Sequence, residues 1–135
     1  MMNRLPCMNT EPTEPEYLLH LRRDVEQAIE AYVYQVPHDA IGRPWSDAAV
    51  ADGLSQFRAS LVEPYWATVE IRDTFDQVGI ATSPQRRCAV VADDGKGMLL
   101  LFDPTENSFV LAQRGKTGLS TFGVRGDAVE CFLAR

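Results

Sequence analysis

The sequence predicts an α+β domain in which two or three amino-terminal helices pack on a carboxyl-terminal antiparallel sheet of four to five strands. Up to about residue 61, apolar residues recur at three- and four-residue steps; from residue 88 onward they lie in short runs separated by turn residues. With 135 residues, 45% of them hydrophobic, the chain suffices for one domain with its own core. We assign this domain to residues 13–135 and expect residues 1–12, which are polar and contain two prolines, to be a disordered tail.

Both long helices have recognisable first residues. Thr13 and Glu16 have the spacing of a capping box, and the apolar stripe behind them predicts a helix that ends near Tyr34. Ser46 is a typical N-cap residue in front of the second stripe. We expect Pro64 to end or kink this second helix, because proline lacks the backbone N–H that a helix interior needs.

Residues 65–71 fit two structures. Tyr65, Ala67, Val69 and Ile71 alternate with more polar residues as in a strand, yet Leu61, Tyr65 and Val69 would also continue the helical stripe. We favour the strand, since the segment is rich in β-branched and aromatic residues. A short helical turn capped by Asp73 is predicted to follow.

The carboxyl-terminal half predicts short antiparallel strands in a meander or a pair of hairpins, because glycine, proline, asparagine or aspartate stands at each junction. The strands are predicted at residues 88–93, 98–103, 109–113, 119–124 and 128–134. Arg125-Gly126-Asp127 separates the last two of these runs. We interpret this tripeptide as a tight hairpin turn and not as an integrin-binding signal.

Gly115-Lys116-Thr117 resembles the end of a phosphate-binding loop but lacks the rest of the pattern. Val110 stands where the loop needs its first glycine, and a predicted strand follows where the loop needs a helix. We therefore expect no nucleotide here and no other cofactor. The cysteines, Cys7, Cys88 and Cys131, are odd in number and widely spaced, which argues against a disulfide framework and against a zinc site.

The formal net charge is −6, and most of it lies in the amino-terminal part. An acidic surface repels phosphate backbones, so we expect no nucleic-acid partner and favour a basic protein partner. The first residues have no apolar signal region, and no run of apolar residues is long enough to span a membrane. We therefore expect a cytoplasmic protein with no membrane partner.

The candidate partner-binding residues lie in two loops and beside them. The segment between the helices contains proline, arginine and tryptophan, and the last two are enriched at binding hot spots. The turn after residue 92 contributes two adjacent carboxylates. The candidates are His38, Asp39, Arg43, Trp45, Asp47, Asp93 and Asp94.

In its general character the chain resembles the immunity proteins that protect bacteria from polymorphic and contact-dependent growth-inhibition toxins. The resemblance rests on the order of helices followed by sheet and on the acidic residues Glu26, Glu30, Asp39, Asp47 and Asp52. It is a likeness of class and includes no family motif. It implies an inhibitor whose acidic face binds a basic toxin domain, often a nuclease, and blocks its active site or substrate groove.

A small enzyme or ligand-binding domain, with a pocket between sheet and helices, is the alternative. Its polar groups would be His20, His38, Cys88, Cys131 and the pair Asp93 and Asp94. No nucleophile, metal-ligand or cofactor motif marks any of them, so we assign no catalytic or metal-binding residue. A structural adaptor subunit also remains compatible with the sequence.

Overall fold

The computed structural model describes residues 14–34, 45–73 and 84–135, and it is an α+β fold as the sequence predicts. Helices α1 (Glu14–Ala31) and α2 (Asp47–Ser60) come first. The strands β1 (Leu61–Glu70), β2 (Gln85–Asp93), β3 (Met98–Asp103), β4 (Ser108–Gly115) and β5 (Gly118–Gly126) follow, and a short helix α3 (Ala128–Leu133) comes last.

The five strands form a closed barrel. Each strand pairs antiparallel with the next, from β1 to β5, which confirms the predicted meander. Within the described residues, the barrel closes through a parallel contact of two residue pairs, Val69 with Leu119 and Glu70 with Ser120. Three of the antiparallel pairings contain a register shift, and such irregularities bend strands enough to let a small sheet close.

Two apolar layers hold the fold together, one on each face of the central strands. Alternate residues such as Cys88, Val90 and Leu101 point to the barrel interior. Their neighbours along the strands, such as Val91 and Leu100, pack outward against the three helices. β2, β3 and β4 are therefore buried on both faces, which explains their nearly continuous apolar sequence.

The ambiguous segment is a strand, as favoured from its composition. β1 begins at Leu61, immediately after α2, so the second helix ends four residues earlier than Pro64. Pro64 lies within β1, between the paired residues Leu61 and Tyr65, where the register of the β1–β2 ladder shifts. A proline is tolerated at such an irregularity because no ladder hydrogen bond is required of it.

The last predicted strand is wrong: residues 128–133 form α3, so Arg125-Gly126-Asp127 is not a hairpin turn. Arg125 and Gly126 end β5, and the Asp127 carboxylate caps α3 by accepting hydrogen bonds from the amides of Val129 and Glu130. The cap satisfies amides that have no partner inside the helix. Buried residues at helical spacing then hold α3 against the core; they are Ala128, Val129, Cys131 and Phe132.

Three expectations lie outside the described residues. They are the tail at 1–12, the capping role of Thr13 and the helical turn after Asp73. The first helix itself is confirmed, and within the described residues it ends at Ala31, three residues before Tyr34.

Candidate functional site

The end of α1, the start of α2 and the helix α3 meet at one surface. Trp45 directly precedes Ser46, whose hydroxyl accepts a hydrogen bond from the Ala49 amide and so caps α2. The Trp45 amide donates to the Tyr34 hydroxyl at 3.1 Å, and the two ring centroids are 6.4 Å apart. Trp45 remains 44% exposed, so its position does not result from burial in the core.

A pocket of about 170 Å³ opens beside these two rings. We call it the aromatic pocket; its lining residues are Tyr32, Tyr34, Trp45, Glu130, Leu133 and Ala134. A shallower depression adjoins it on the α2 side and shares Trp45 and Leu133. The volume suits one inserted side chain, since pockets for drug-sized ligands usually exceed about 300 Å³.

Gly53 allows α2 and α3 to approach each other next to the aromatic pocket. A Cβ atom at this position would lie 2.5 Å from Leu133 Cδ2 and 3.8 Å from the Trp45 ring. The glycine weakens the helix by about 1 kcal/mol relative to alanine. The close approach accounts for a residue that is otherwise unfavourable in a helix interior.

One acidic residue lines the aromatic pocket, and a second lines the depression next to it. They are Glu130 and Asp52, respectively, and Asp47 follows Trp45 by two residues. Burial and the negative charges of Glu130 and Asp127 raise the pKa of Tyr32 above its ordinary value. The pocket therefore has a negative potential on at least one side.

Of the sequence-predicted partner-binding residues, Trp45 lines the aromatic pocket, and Asp47 lies two residues further along the chain in the first turn of α2. His38, Asp39 and Arg43 lie outside the described residues. They belong to segment 35–44, whose two neighbours in the chain, Tyr34 and Trp45, both line the aromatic pocket.

Asp93 and Asp94 lie at the β2–β3 turn, and both bind arginines of the same chain. Asp93 pairs with Arg114 at 3.1 Å, and Asp94 pairs with Arg135 at 3.3 Å. Burial alone would raise the pKa of Asp94, but hydrogen bonds from the Lys96 and Met98 amides and the charge of Arg135 outweigh it and lower the pKa. Arg135 also donates to Gln56, so it links this turn to the depression beside the aromatic pocket.

The residues proposed for an enzyme do not converge in the described part of the chain. Cys88 lies in the barrel interior and Cys131 in the layer between helices and sheet, while His20 is exposed on α1. Burial raises the pKa of both thiols to about 11, and His20, the histidine in the described part of the chain, is not among the groups that influence them. Residues 14–34, 45–73 and 84–135 contain no group of three or more histidine, cysteine, aspartate or glutamate side chains placed to hold a metal ion.

A network of charged residues at one end of the barrel was missed by the sequence analysis. Asp103 is fully buried at the end of β3, and its Oδ2 accepts from Arg86 at 2.7 Å and from Arg125 at 2.9 Å. Arg125 also donates to Asp73 at 2.6 Å and to the Ser108 hydroxyl at 3.0 Å. Because these residues are far apart in the chain, no local spacing could have indicated the network.

Comparison with protein-family models, with curated proteins and with solved structures gave no match. Among the helices described here, none has both the length and the apolar character needed to cross a membrane. The assignment of a function therefore depends on the surface itself.

Proposed function

We propose that the protein is a small cytoplasmic protein-binding module, an immunity protein whose acidic helical side binds a basic toxin domain and blocks its active site. The observation that carries the proposal is the distribution of charge over the fold. Residues 14–34, 45–60 and 127–135, which contain the helices, have nine acidic and four basic side chains. Residues 61–73 and 84–126, which contain the strands, have seven of each.

The ion pairs within the chain also favour the helical side as the binding surface. On the barrel, the carboxylates of Asp73, Asp93 and Asp103 each bind an arginine of the chain. Asp47 and Glu130, in contrast, have no cation within ion-pair distance among the residues that the structure describes. An ion pair with a partner would therefore not have to break one within this chain.

An acidic side of this kind speeds the encounter with a basic partner, and exposed aromatic side chains slow dissociation once the complex has formed. A toxin domain that cleaves nucleic acid needs a basic groove for the phosphates, which is the surface that carboxylates would cover. Trp45 and Glu130, which line one pocket, and Asp47 in the first turn of α2 supply the parts of such an interface, an aromatic anchor with a polar rim.

The test is co-expression with the variable carboxyl-terminal domain of a large secreted protein encoded next to this chain. We expect a stoichiometric complex in size-exclusion chromatography and rescue of growth. If the cells die and the two proteins elute separately, the proposal is wrong.

Two charge-reversal variants test whether the partner binds the helical side. Glu130→Arg at the helical side should slow association several-fold at low salt and weaken the complex. Glu63→Arg is the matched control, because Glu63 is also exposed and belongs to no ion pair among the described residues, but lies on β1. Equal effects of the two variants would contradict the assignment of the face, provided that both proteins unfold at the same urea concentration as the parent.

One observation favours a second candidate, a ligand-binding domain. A depression of about 360 Å³ lies between α1 and the β3–β4 hairpin, and Tyr17, His20, Asp24, Phe102 and Phe109 are among its lining residues. His20 and Asp24 are four residues apart and so share one face of α1. A small molecule that shifts the NMR signals of these residues at micromolar concentration, with no effect on Trp45, would favour this candidate.

A further inference from the structure

The aromatic pocket combines aromatic rings with a negative charge. Tyr32, Tyr34 and Trp45 line it together with Glu130, and the charge of Glu130 is close enough to raise the pKa of Tyr32. Aromatic faces carry partial negative charge and attract cations, and tryptophan does so most strongly. A carboxylate at the same opening adds a full negative charge and hydrogen-bond acceptors.

No arginine or lysine of the described residues lines the aromatic pocket. Arg135 lines the neighbouring depression and is held by Asp94, Gln56 and the Phe132 carbonyl. Its guanidinium carbon lies 3.9 Å from the Phe132 ring centroid. Glu130 forms no ion pair with any described residue.

We propose that the aromatic pocket binds one arginine side chain of the partner, with the guanidinium against the rings of Tyr34 and Trp45 and in contact with the Glu130 carboxylate. This inference rests on the proposed function, since it names the group of the partner that the acidic side recognises. Arginine fits better than lysine because its planar guanidinium can stack on aromatic rings while its N–H groups reach a carboxylate. The volume of about 170 Å³ is sufficient for one such side chain.

The test is an NMR titration of the protein with N-acetyl-arginine methylamide, which needs no knowledge of the partner. We expect saturable shifts of the Trp45 indole and of the Leu133 and Ala134 amides, with a dissociation constant in the millimolar range. N-acetyl-citrulline methylamide, which has nearly the same shape and no charge, should bind at least about tenfold more weakly because it loses the charge-dependent attraction. The affinity of N-acetyl-lysine methylamide should lie between those of the arginine and citrulline derivatives.

Two variants test the roles of the carboxylate and the ring. Glu130→Gln should weaken arginine binding about tenfold and leave citrulline binding unchanged, because only the charged ligand uses the charge of Glu130. Trp45→Phe keeps a ring and should retain binding, whereas Trp45→Ala should abolish the shifts at Leu133 and Ala134. Glu63→Gln is the control for a general loss of negative charge.

Three outcomes would overturn the inference. In the first, the citrulline derivative binds as tightly as the arginine derivative, which indicates an apolar occupant. In the second, the shifts caused by the arginine derivative map outside the aromatic pocket. In the third, sedimentation shows that the protein self-associates and that Trp45→Ala abolishes this self-association. The failure of the proposed function is a separate result. If Glu130→Gln and Trp45→Ala leave the affinity for the toxin domain unchanged, the pocket assignment is wrong and the immunity function is unaffected. If the arginine derivative binds in the aromatic pocket but co-expression gives neither a complex nor rescue of growth, the immunity function is wrong and the pocket assignment is unaffected.

Discussion

The guanidinium of Arg125 bridges two carboxylates, Asp103 at 2.9 Å and Asp73 at 2.6 Å. Asp103 has no exposed surface and is shared with Arg86 on β2, so β2, β3 and β5 are joined at one end of the barrel. The arginine of the Arg-Gly-Asp sequence therefore belongs to the ion-pair network of the barrel, and the aspartate of the same tripeptide caps α3.

Removing the charge of Asp103 should destabilise the fold strongly. Asp103→Asn leaves two guanidiniums without their shared carboxylate, and breaking a buried ion pair costs about 3 kcal/mol in the free energy of unfolding. Asp93→Asn is the matched control, because its pair with Arg114 is largely exposed and should contribute less than about 1 kcal/mol. Urea unfolding followed by circular dichroism measures both. If the two variants lose similar amounts of the free energy of unfolding, the buried network stabilises the fold no more than the Asp93–Arg114 pair does.

The same network predicts sensitivity to acid. Burial alone would raise the pKa of Asp103, but the hydrogen bonds and charges of Arg86 and Arg125 outweigh it, so the pKa lies below its ordinary value. A carboxylate whose pKa is lowered by folding stabilises the protein above the pKa of the unfolded chain, about 3.9, and loses this contribution as the pH falls through the folded pKa. The free energy of unfolding of the parent should fall below about pH 5. The difference in this free energy between the parent and Asp103→Asn should therefore become smaller as the pH is lowered. Urea midpoints between pH 7 and pH 3 measure this, and a constant difference would contradict it.

The two buried thiols should be unreactive in the folded protein. With pKa values raised to about 11, Cys88 and Cys131 hold almost no thiolate at pH 8 and are also shielded from reagents. In a Cys7→Ser background, we expect a colorimetric disulfide reagent to label the native protein at least about 100-fold more slowly than the urea-unfolded chain. Rapid labelling of either cysteine without unfolding would instead identify an accessible thiol and favour an enzyme.

The cap of α3 should contribute measurably to stability. Asp127→Ala removes the acceptor for the Val129 and Glu130 amides and should lower the free energy of unfolding by about 1 kcal/mol. Asp127→Asn keeps a side-chain oxygen at the cap and should lose only a few tenths of that amount. If both variants match the parent, the hydrogen bonds at Asp127 do not stabilise α3.

The sequence was sufficient for the fold class because periodicity reports burial directly. α1, α2 and the meander from β2 to β5 all followed from it. The segment 128–134 misled because Val129, Cys131 and Leu133 alternate as in a strand, while Val129 and Phe132 also have helical spacing. Tertiary contact decides between them: the Phe132 ring stacks on Phe57 of α2 with centroids 4.4 Å apart.

The candidate site could be predicted only in part. Trp45 was selected because tryptophan in a loop is typical of binding hot spots, and Asp47 because it is acidic; both are properties of single residues that the sequence shows. The other residues of the aromatic pocket come from α3 and from the end of α1, and no spacing in the sequence indicates that Leu133 would lie beside Trp45. Asp93 and Asp94 seemed available for a partner because sequence alone does not reveal their pairing with Arg114 and Arg135.

The two-pair contact between β1 and β5 has a consequence for how the barrel opens. Every other seam is a longer antiparallel ladder between neighbours in the chain, whereas this one joins strands about 50 residues apart through Val69 with Leu119 and Glu70 with Ser120. Among the described residues, side-chain contacts supplement this short ladder: the Arg72 amide donates to the Thr121 hydroxyl, and Arg125 pairs with Asp73. The ladder itself contributes few hydrogen bonds at the place where closing the chain costs most entropy. This seam is therefore the natural point at which the barrel comes apart, and amide hydrogens there should exchange with solvent before those of β3 and β4.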